Sequence, residues 1–233
     1  MIPKVIHYCW FSNEPLPKNL QISMNSWKKK LPEYKIKRWT LDSFNVNELD
    51  WTREALQEKA WAFLTDYVRL YALYTEGGIY LDTDVLVKES FNPLLNDRFF
   101  TAIEWHPEMI EADEISDKRI TTDGYNAFPG IRVPGIGLQA AILGAEKGHP
   151  YIKTAMDFYK KHHFIQEDGS WYTKEIAPDI LALAAESFGL NRNSAYFGRR
   201  EYEIFPMAVF PTIQQGDLKS SLHFSSKQAI FRA

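Results

Sequence analysis

The chain has 233 residues, of which 45% are hydrophobic and 15% aromatic, and its formal net charge is −3. This length and composition can bury one substantial core, and the charge gives no signature of nucleic-acid binding. Cys9 is the only cysteine of the sequence, which excludes a disulfide within it and predicts a buried thiol. Neither a signal peptide nor an apolar run of about 18 residues is found, which favours a cytoplasmic protein.

The first predicted elements are a strand, a helix and a second strand. Lys4 to Phe11 and Tyr34 to Trp39 are apolar runs typical of buried parallel strands. Between them, an apolar stripe predicts a helix, formed by Leu20, Met24, Trp27 and Leu31. The main basic cluster follows this stripe and consists of Lys28, Lys29, Lys30, Lys35, Lys37 and Arg38. A solvated charged face is the simpler interpretation, and contact with anionic lipids on the inner face of a membrane is the alternative.

The next helix leads into a short strand that ends in two carboxylates. From Ala60 to about Thr75 the apolar residues recur at helical spacing, and Gly77-Gly78 suits a helix C-terminus. Ile79 to Leu81 is typical of a short buried strand, and Asp82-Thr83-Asp84 follows directly. The carboxylates therefore lie at the carboxyl end of a strand, where open α/β sheets bind ligands.

Two carboxylates one residue apart can hold one hard cation. Mn²⁺ or Mg²⁺ typically takes one or two carboxylates together with substrate phosphate oxygens, so Asp82 and Asp84 are candidate metal ligands. The rise per residue of a helix and of a strand places Asp66 and Arg69 level with them on one helix face. The alternatives are a solvated turn for the first pair and an ordinary surface ion pair for the second.

The second half of the chain contains a strand, an irregular segment and two helices. Phe99 to Trp105 is typical of a strand. Residues 107–137 lose periodicity and contain several Gly and Pro turns, which predicts a long loop that covers or shapes a site. Leu138 to Gly144 is a buried apolar segment, Pro150 begins an amphipathic helix, and Ala177-Pro178-Asp179 begins another.

Three segments carry a resemblance to a known family: TDYVRLYALYTEGGIYLDTDV from Thr65, IPKVIHYCWF from Ile2 and GAEKGHP from Gly144. They resemble glycosyltransferase family 32, which includes bacterial capsular-polysaccharide transferases and yeast initiating α-1,6-mannosyltransferases. The sequence is also distantly similar to the glucosyltransferase domain of large clostridial toxins. The resemblance implies an α/β, Rossmann-like GT-A fold with a mostly parallel central sheet. It implies a single domain over residues 1–233, with a loop at 107–137 and a C-terminal lid at 215–233.

The resemblance also implies an activity and a site. The activity is retaining transfer of a hexose or N-acetylhexosamine from a nucleotide diphosphate sugar to a glycan hydroxyl, in capsular or surface polysaccharide synthesis. A UDP-sugar is the favoured donor, GDP-mannose is the alternative, and the cofactor is Mn²⁺ or Mg²⁺. The implied donor site consists of His7, Trp10, Asp66, Arg69 and Asp82, with Trp10 stacking on the base. The implied metal ligands are Asp82, Asp84 and His223. Core positions are the alternative for His7 and Trp10, and the sequence lacks the Trp that relatives carry after the last histidine.

Two other functions fit parts of the sequence. IYLDTDVLV matches the DxDx[TV] signature of haloacid-dehalogenase-like phosphatases, in which the first Asp is a nucleophile, but that motif closes the first strand of its domain. A catalytically silent glycan- or nucleotide-binding protein on the transferase fold is the second alternative. If the transfer were inverting it would need a base, for which Glu104, His106 and Asp179 are the candidates.

Overall fold

The structure is a computed structural model that describes residues 1–112, 116–193 and 196–198. The strands in these ranges are Val5–Cys9 (β1), Lys35–Trp39 (β2), Gly78–Leu81 (β3), Phe99–Trp105 (β4), Ile136–Leu138 (β5), Ile142–Ala145 (β6) and Tyr196–Gly198 (β7). The α-helices are Lys18–Lys30 (α1), Asp50–Gln57 (α2), Trp61–Glu76 (α3), Pro107–Ala112 (α4), Ser116–Arg119 (α5), Pro150–Lys161 (α6) and Ala177–Glu186 (α7).

The strands form one mixed sheet in the order β2-β1-β3-β6-β4-β5, and β7 also pairs with β4. β2, β1 and β3 are parallel, as predicted for the centre of the sheet. The pairs of β3 with β6 and of β4 with β5, β6 and β7 are antiparallel. β1, β2, β3 and β4 consequently run in the same direction, and their carboxyl ends share one edge of the sheet.

Apolar side chains cover both faces of the sheet. One core cluster packs α2, α3, α6 and α7 against the face that includes Tyr80, and the other packs α1 against the face that includes Ile79 and Leu81. Successive strand residues point to opposite faces, which explains why every residue of β3 is buried. The sheet edge after β3 is thus held between two packed layers.

Two glycines turn α3 directly into β3. Gly77 and Gly78 have φ angles of 69° and 120°, a region that side chains rarely adopt. A Cβ atom on Gly78 would lie 2.6 Å from the carbonyl oxygen of Val5 and 2.9 Å from Nε2 of His7. The glycines therefore allow the close approach by which β3 pairs with β1, and they confirm the predicted end of the helix.

The structure differs from the sequence predictions in three places. α2 follows a polar connection where the sequence analysis predicts no helix. Residues 107–137, predicted as irregular, include the start of β5 and two helices of 6 and 4 residues, which are too short to show periodicity. The apolar run Leu138 to Gly144, predicted as one segment, is divided between β5 and β6.

Candidate active site

Asp82, Thr83 and Asp84 form a tight turn directly after β3, here called the DxD turn. The amide of Val85 donates to the carbonyl of Asp82 at 3.0 Å, which closes a β-turn with Thr83 and Asp84 at its centre. All three residues are half-buried. The turn places both carboxylates at the carboxyl edge of the parallel strands, as the sequence predicts.

Helix α1 fixes the chain that leaves this turn. The indole of Trp27 is fully buried and its Nε1 donates to the carbonyl of Val85 at 2.7 Å. The amide of Val87 donates to Oγ of Ser26 at 2.9 Å. Trp27 thus appears in the sequence as one member of a helical stripe, but in the structure it also anchors the DxD turn.

Tyr80 orients Asp82. Its hydroxyl donates to Oδ1 of Asp82 at 2.7 Å, and its ring lies beneath the guanidinium of Arg69, 4.9 Å from ring centroid to Cζ. The sequence analysis missed this residue. The signal was the period of two in a strand, which puts residues 80 and 82 on the same face.

Arg69 links helix α3 to the DxD turn. Its Nη2 donates to Oδ1 of Asp66 at 2.8 Å, and its Nη1 lies 3.7 Å from Oδ1 of Asp82. Only 6% of the Arg69 side chain and 12% of the Asp66 side chain are exposed, so the two do not form an ordinary surface ion pair. The structure thus brings together Asp66, Arg69 and Asp82, here called the Arg69 cluster.

Burial controls the charges in this cluster. Burial raises the pKa of Asp66 to about 6, opposed by the charge of Arg69 and reinforced by that of Asp82. Burial by itself would lower the pKa of Arg69, but the neighbouring charges, that of Asp82 above all, raise it beyond its usual value. Burial also raises the pKa of the adjacent Cys9, which therefore stays a neutral thiol. A permanent cation lies between two carboxylates.

A three-residue bulge brings main-chain carbonyls to the same cluster. Trp105 of β4 pairs with Ile136, whereas Phe100, five residues earlier, pairs with Gly144, eight residues after Ile136, so the register shifts by three. The extra residues are Gln139 to Ala141. Within this bulge, the carbonyl of Ala140 accepts from Nη1 of Arg69 at 2.5 Å, and that of Ala141 accepts from the amide of Asp82 at 2.9 Å. No sequence signal marked this bulge, because it lies inside an apolar run.

The chemistry of the DxD turn fits a hard divalent cation. Asp82 and Asp84 offer carboxylate oxygens, which Mn²⁺ and Mg²⁺ prefer, and 33% of the Asp82 side chain is exposed. In the described ranges no three His, Cys, Asp or Glu side chains form a metal-binding group. An ion held here would therefore take its remaining ligands from donor phosphates and water. The third ligand suggested by the family resemblance, His223, lies outside the described residues.

The two candidates at the end of β1 have different environments. Trp10 is half-buried at the sheet edge that carries the DxD turn, and its Nε1 donates to the carbonyl of Glu14 at 2.8 Å. His7 is fully buried, with Nδ1 accepting from Nε1 of Trp39 at 3.1 Å and Nε2 lying 2.8 Å from the carbonyl of Gly77. Burial lowers the pKa of His7. The structure thus places His7 in the core, where it cannot contact a nucleotide, and only Trp10 lies at the edge.

The three candidate bases are engaged with other side chains. Nε2 of His106 lies 3.0 Å from Oε1 of Glu104, and Nδ1 lies 3.3 Å from Oε1 of Glu108. Asp179 accepts from the amide of Ile176 at the start of α7, and burial raises its pKa. None of the recorded contacts of these residues joins them to the Arg69 cluster.

The basic cluster of α1 and β2 is partly neutralised. Lys37 forms an ion pair with Glu76, and Nζ of Lys30 lies 3.7 Å from a carboxylate oxygen of Glu89. Arg38 donates to the carbonyls of Trp10 and Ser12. These contacts favour the solvated, structural interpretation of this surface. Across the residues that the structure describes, no helix has the length and apolar character needed to cross a membrane.

Comparison with known sequences supports the interpretation of this site. A family model described as "Glycosyltransferase sugar-binding region containing DXD motif" matches residues 17–100. Inositol phosphoceramide mannosyltransferase 3 of Schizosaccharomyces pombe is 26% identical over 155 residues, which are 65% of this chain and 35% of that protein. Inositol phosphoceramide mannosyltransferase 1 of the same yeast is 28% identical over 106 residues, which are 42% of this chain and 33% of that protein. The chain spans about a third of the length of these two relatives.

Comparison with solved structures identifies the fold. The structure named PaToxG Glycosyltransferase matches with a TM-score of 0.51 and 16% identity, over 81% of this chain and 70% of that one. At this identity the likeness concerns the fold alone, which is the predicted GT-A fold. Together with the family match, it confirms the distant resemblance to glycosyltransferase family 32 that the sequence predicts.

Proposed function

We propose that this distant relative of the DXD-containing glycosyltransferases is a metal-dependent, retaining enzyme that transfers a hexose or N-acetylhexosamine from a nucleotide diphosphate sugar to a glycan hydroxyl. The observation that carries the proposal is the Arg69 cluster beside the DxD turn. It places a buried cation and a buried carboxylate at the sheet edge where α/β folds bind ligands. The relatives' names, which specify mannosyltransferases, support a hexose donor and keep GDP-mannose beside the favoured UDP-sugar.

Each residue of the cluster has a distinct role in this proposal. Asp82 and Asp84 would hold Mn²⁺ or Mg²⁺, which stabilises the charge of a departing diphosphate. Tyr80 keeps Oδ1 of Asp82 in place. Asp66 and Arg69 contact hydroxyls of the donor sugar, and Trp10 stacks on the base. The bulge carbonyl of Ala140 holds the guanidinium in position.

Retention follows from the absence of an assigned base. In a retaining reaction without a covalent intermediate, the acceptor hydroxyl can give its proton to the leaving phosphate oxygen, so positioning supplies most of the rate. The contacts of Glu104, His106 and Asp179 with other groups support this route over inversion. The roles in capsule synthesis, the cytoplasmic location and the covering loop at 107–137 stay predictions from the sequence.

Calorimetry with a nucleotide diphosphate tests the metal role. Binding should require Mn²⁺ or Mg²⁺, because the diphosphate charge is otherwise unscreened beside Asp82 and Asp84. Asp84→Asn should lose most of the metal-dependent affinity and turnover. Asp157→Asn, at an exposed ion pair on α6, is the matched control and should behave as the wild type. Undiminished binding in EDTA, or full turnover by Asp84→Asn, would contradict the proposal.

A second substitution separates sugar binding from nucleotide binding. Asp66→Ala should reduce turnover well over tenfold and leave nucleotide diphosphate affinity unchanged, because the nucleotide lacks the hexose. Circular dichroism must show that the variant is folded, since Arg69 loses a buried partner. Normal turnover would return Asp66 to a purely structural role.

The structure also bears on the phosphatase alternative. The DxD turn follows β3, the third strand of the chain, whereas the phosphatase motif closes the first strand. A panel of nucleotide sugars tested for Mn²⁺-dependent hydrolysis separates the enzyme from the silent binding protein. Binding of a nucleotide sugar with no hydrolysis and no transfer would favour the silent alternative.

A further inference from the structure

A basic pocket lies beyond the carboxyl end of β4. It has a volume of about 580 Å³, and its lining includes Met109, Arg119, Ile131, Arg132, Lys174 and Glu175. Trp105, the last residue of β4, pairs with Ile136 at the start of β5, and the lining residues just before β5 belong to the same loop. Because β3 and β4 run in the same direction, the pocket and the DxD turn lie on one edge of the sheet.

The lining of this pocket carries more positive than negative charge. Arg119, Arg132 and Lys174 face one carboxylate, Glu175. The Glu175 carboxylate already accepts from a tyrosine hydroxyl. The nearest contact of Arg132 with Asp179 is long, at 3.5 Å, and 79% of the Lys174 side chain is exposed. The pocket therefore suits an anionic group.

Large apolar side chains surround the pocket and are exposed. Met109 and Ile131 line it with 40% and 54% of their surface exposed. Phe128, whose carbonyl accepts from the amide of Ile131, is 50% exposed, and Ile176, next to Glu175, is 49% exposed. Exposed apolar residues gathered in one place typically mark an interaction surface.

Helix α7 holds this apolar loop in place. Oε2 of Glu186 accepts from the amide of Gly130 at 2.8 Å, and Oε1 accepts from Nδ2 of Asn126 at 2.5 Å. These bonds lie on both sides of Phe128 and just before Ile131. The apolar side chains are thus presented to solvent by an anchored loop, at the rim of a basic pocket.

We propose that this surface docks on a membrane rich in anionic phospholipids, with the lipid phosphate in the basic pocket and the apolar rim against the acyl region. The occupant follows from charge complementarity and from the apolar rim, which a soluble anion would not need. The inference rests on the proposed function in one respect, since it makes the acceptor a glycan attached to a phosphate-bearing lipid. It also moves the expected membrane contact from the basic cluster of α1 and β2 to the edge that carries the DxD turn.

Flotation with lipid vesicles tests the proposal. The full chain should float with vesicles of phosphatidylglycerol and phosphatidylcholine, and not with phosphatidylcholine alone. Lys174→Gln combined with Ile131→Ser should lower the partition coefficient about tenfold or more, because one basic contact and one inserted apolar side chain are lost. The matched control is Lys28→Gln combined with Ile22→Ser on α1, where both positions are also exposed, and it should stay within about twofold of the wild type.

Several outcomes would overturn the docking surface. These are flotation of the Lys174 and Ile131 double variant equal to the wild type, loss of flotation in the α1 control, and no flotation of the wild type. Binding of inorganic phosphate without binding of vesicles would show a free-anion site and would also overturn it. Mn²⁺-dependent nucleotide binding, measured on the same proteins, should be unchanged in both variants. A wild type that floats but binds no nucleotide would refute the proposed function and leave the docking surface standing.

Discussion

Asp66→Asn tests how the Arg69 cluster is built, because it removes a titratable group and keeps the shape of the side chain. Burial raises the pKa of Asp66 from 3.8 to about 6 in the folded protein. In the unfolded chain the carboxyl titrates near its ordinary value. Between these two values the folded state retains a proton that the unfolded state has lost, so the stability of the wild type falls as the pH rises.

The size of the effect follows from the two pKa values. At 1.36 kcal/mol for each pKa unit, the penalty is about 3 kcal/mol, absent below about pH 4 and complete above about pH 6. Asparagine does not titrate. Relative to the wild type, the free energy of unfolding of Asp66→Asn should therefore rise by up to about 3 kcal/mol between about pH 4 and pH 7.

Urea denaturation followed by circular dichroism, at a series of pH values, measures this difference. Asp157→Asn is the control with the opposite sign. Hydrogen bonding to Lys153 lowers the pKa of Asp157, so its stabilising contribution is present at neutral pH and is lost on acidification. Asp157→Asn should lose stability relative to the wild type as the pH rises.

The slope for Asp66→Asn decides between two descriptions of the pair. If Arg69 kept Asp66 ionised throughout, as in an ordinary ion pair, the pKa of Asp66 would be lowered, and both variants would show the same slope. A slope of that sign, or none at all, would refute the argument that burial dominates at this site.

Two further predictions concern the DxD turn. Tyr80→Phe should weaken Mn²⁺-dependent nucleotide binding about tenfold, because Asp82 loses the hydroxyl that orients it, whereas Tyr151→Phe, which removes a buried hydroxyl bonded to the carbonyl of Leu181, should not. Equal metal affinities in the two variants, measured by calorimetry, would contradict this role. An α-linked donor should give an α-linked product, read from the anomeric coupling in proton NMR, and a β-linked product would redirect the search for a base to Glu104.

The sequence was sufficient to predict the elements in which one periodic pattern dominates. The helix before the DxD turn, the glycine pair and the short strand each have a local signal, and their lengths alone predict that Asp66 and Arg69 lie level with Asp82. The structure confirms that arrangement. It adds Tyr80, which the period of two in a strand would have identified.

Other features depended on contacts between distant parts of the chain. His7 lies in the same apolar strand as Trp10, and only the packing of Trp39 and the close approach of Gly77 show that His7 belongs to the core. The bulge at Gln139 to Ala141 results from the pairing of β4 with two strands in different registers. Hydropathy carries no information about register within a continuous apolar run.

The bulge also yields a testable consequence far from the carboxylates. The hydroxyl of Thr101 lies 2.8 Å from the carbonyl of Gln139 and 2.9 Å from that of Ile142, on the two sides of the bulge. Thr101→Val keeps the volume and removes these contacts, at a cost of about 1–3 kcal/mol in the free energy of unfolding, because buried carbonyls lose their donor. Thr52→Val is a matched control, since its hydroxyl lies 2.7 Å and 3.1 Å from the carbonyls of Val46 and Leu49 in the region of α2.

Only one of the two variants should affect turnover. The bulge carries the carbonyls that bind Nη1 of Arg69 and the amide of Asp82, so loosening it disturbs the guanidinium and the first residue of the DxD turn together. Thr101→Val should therefore lower turnover about tenfold, since small displacements in a positioned site are costly. Thr52→Val should match its loss of stability and keep wild-type turnover. If both variants kept full activity with the same loss of stability, the bulge would be a structural feature of the sheet and the Arg69 cluster would be held by α3 alone.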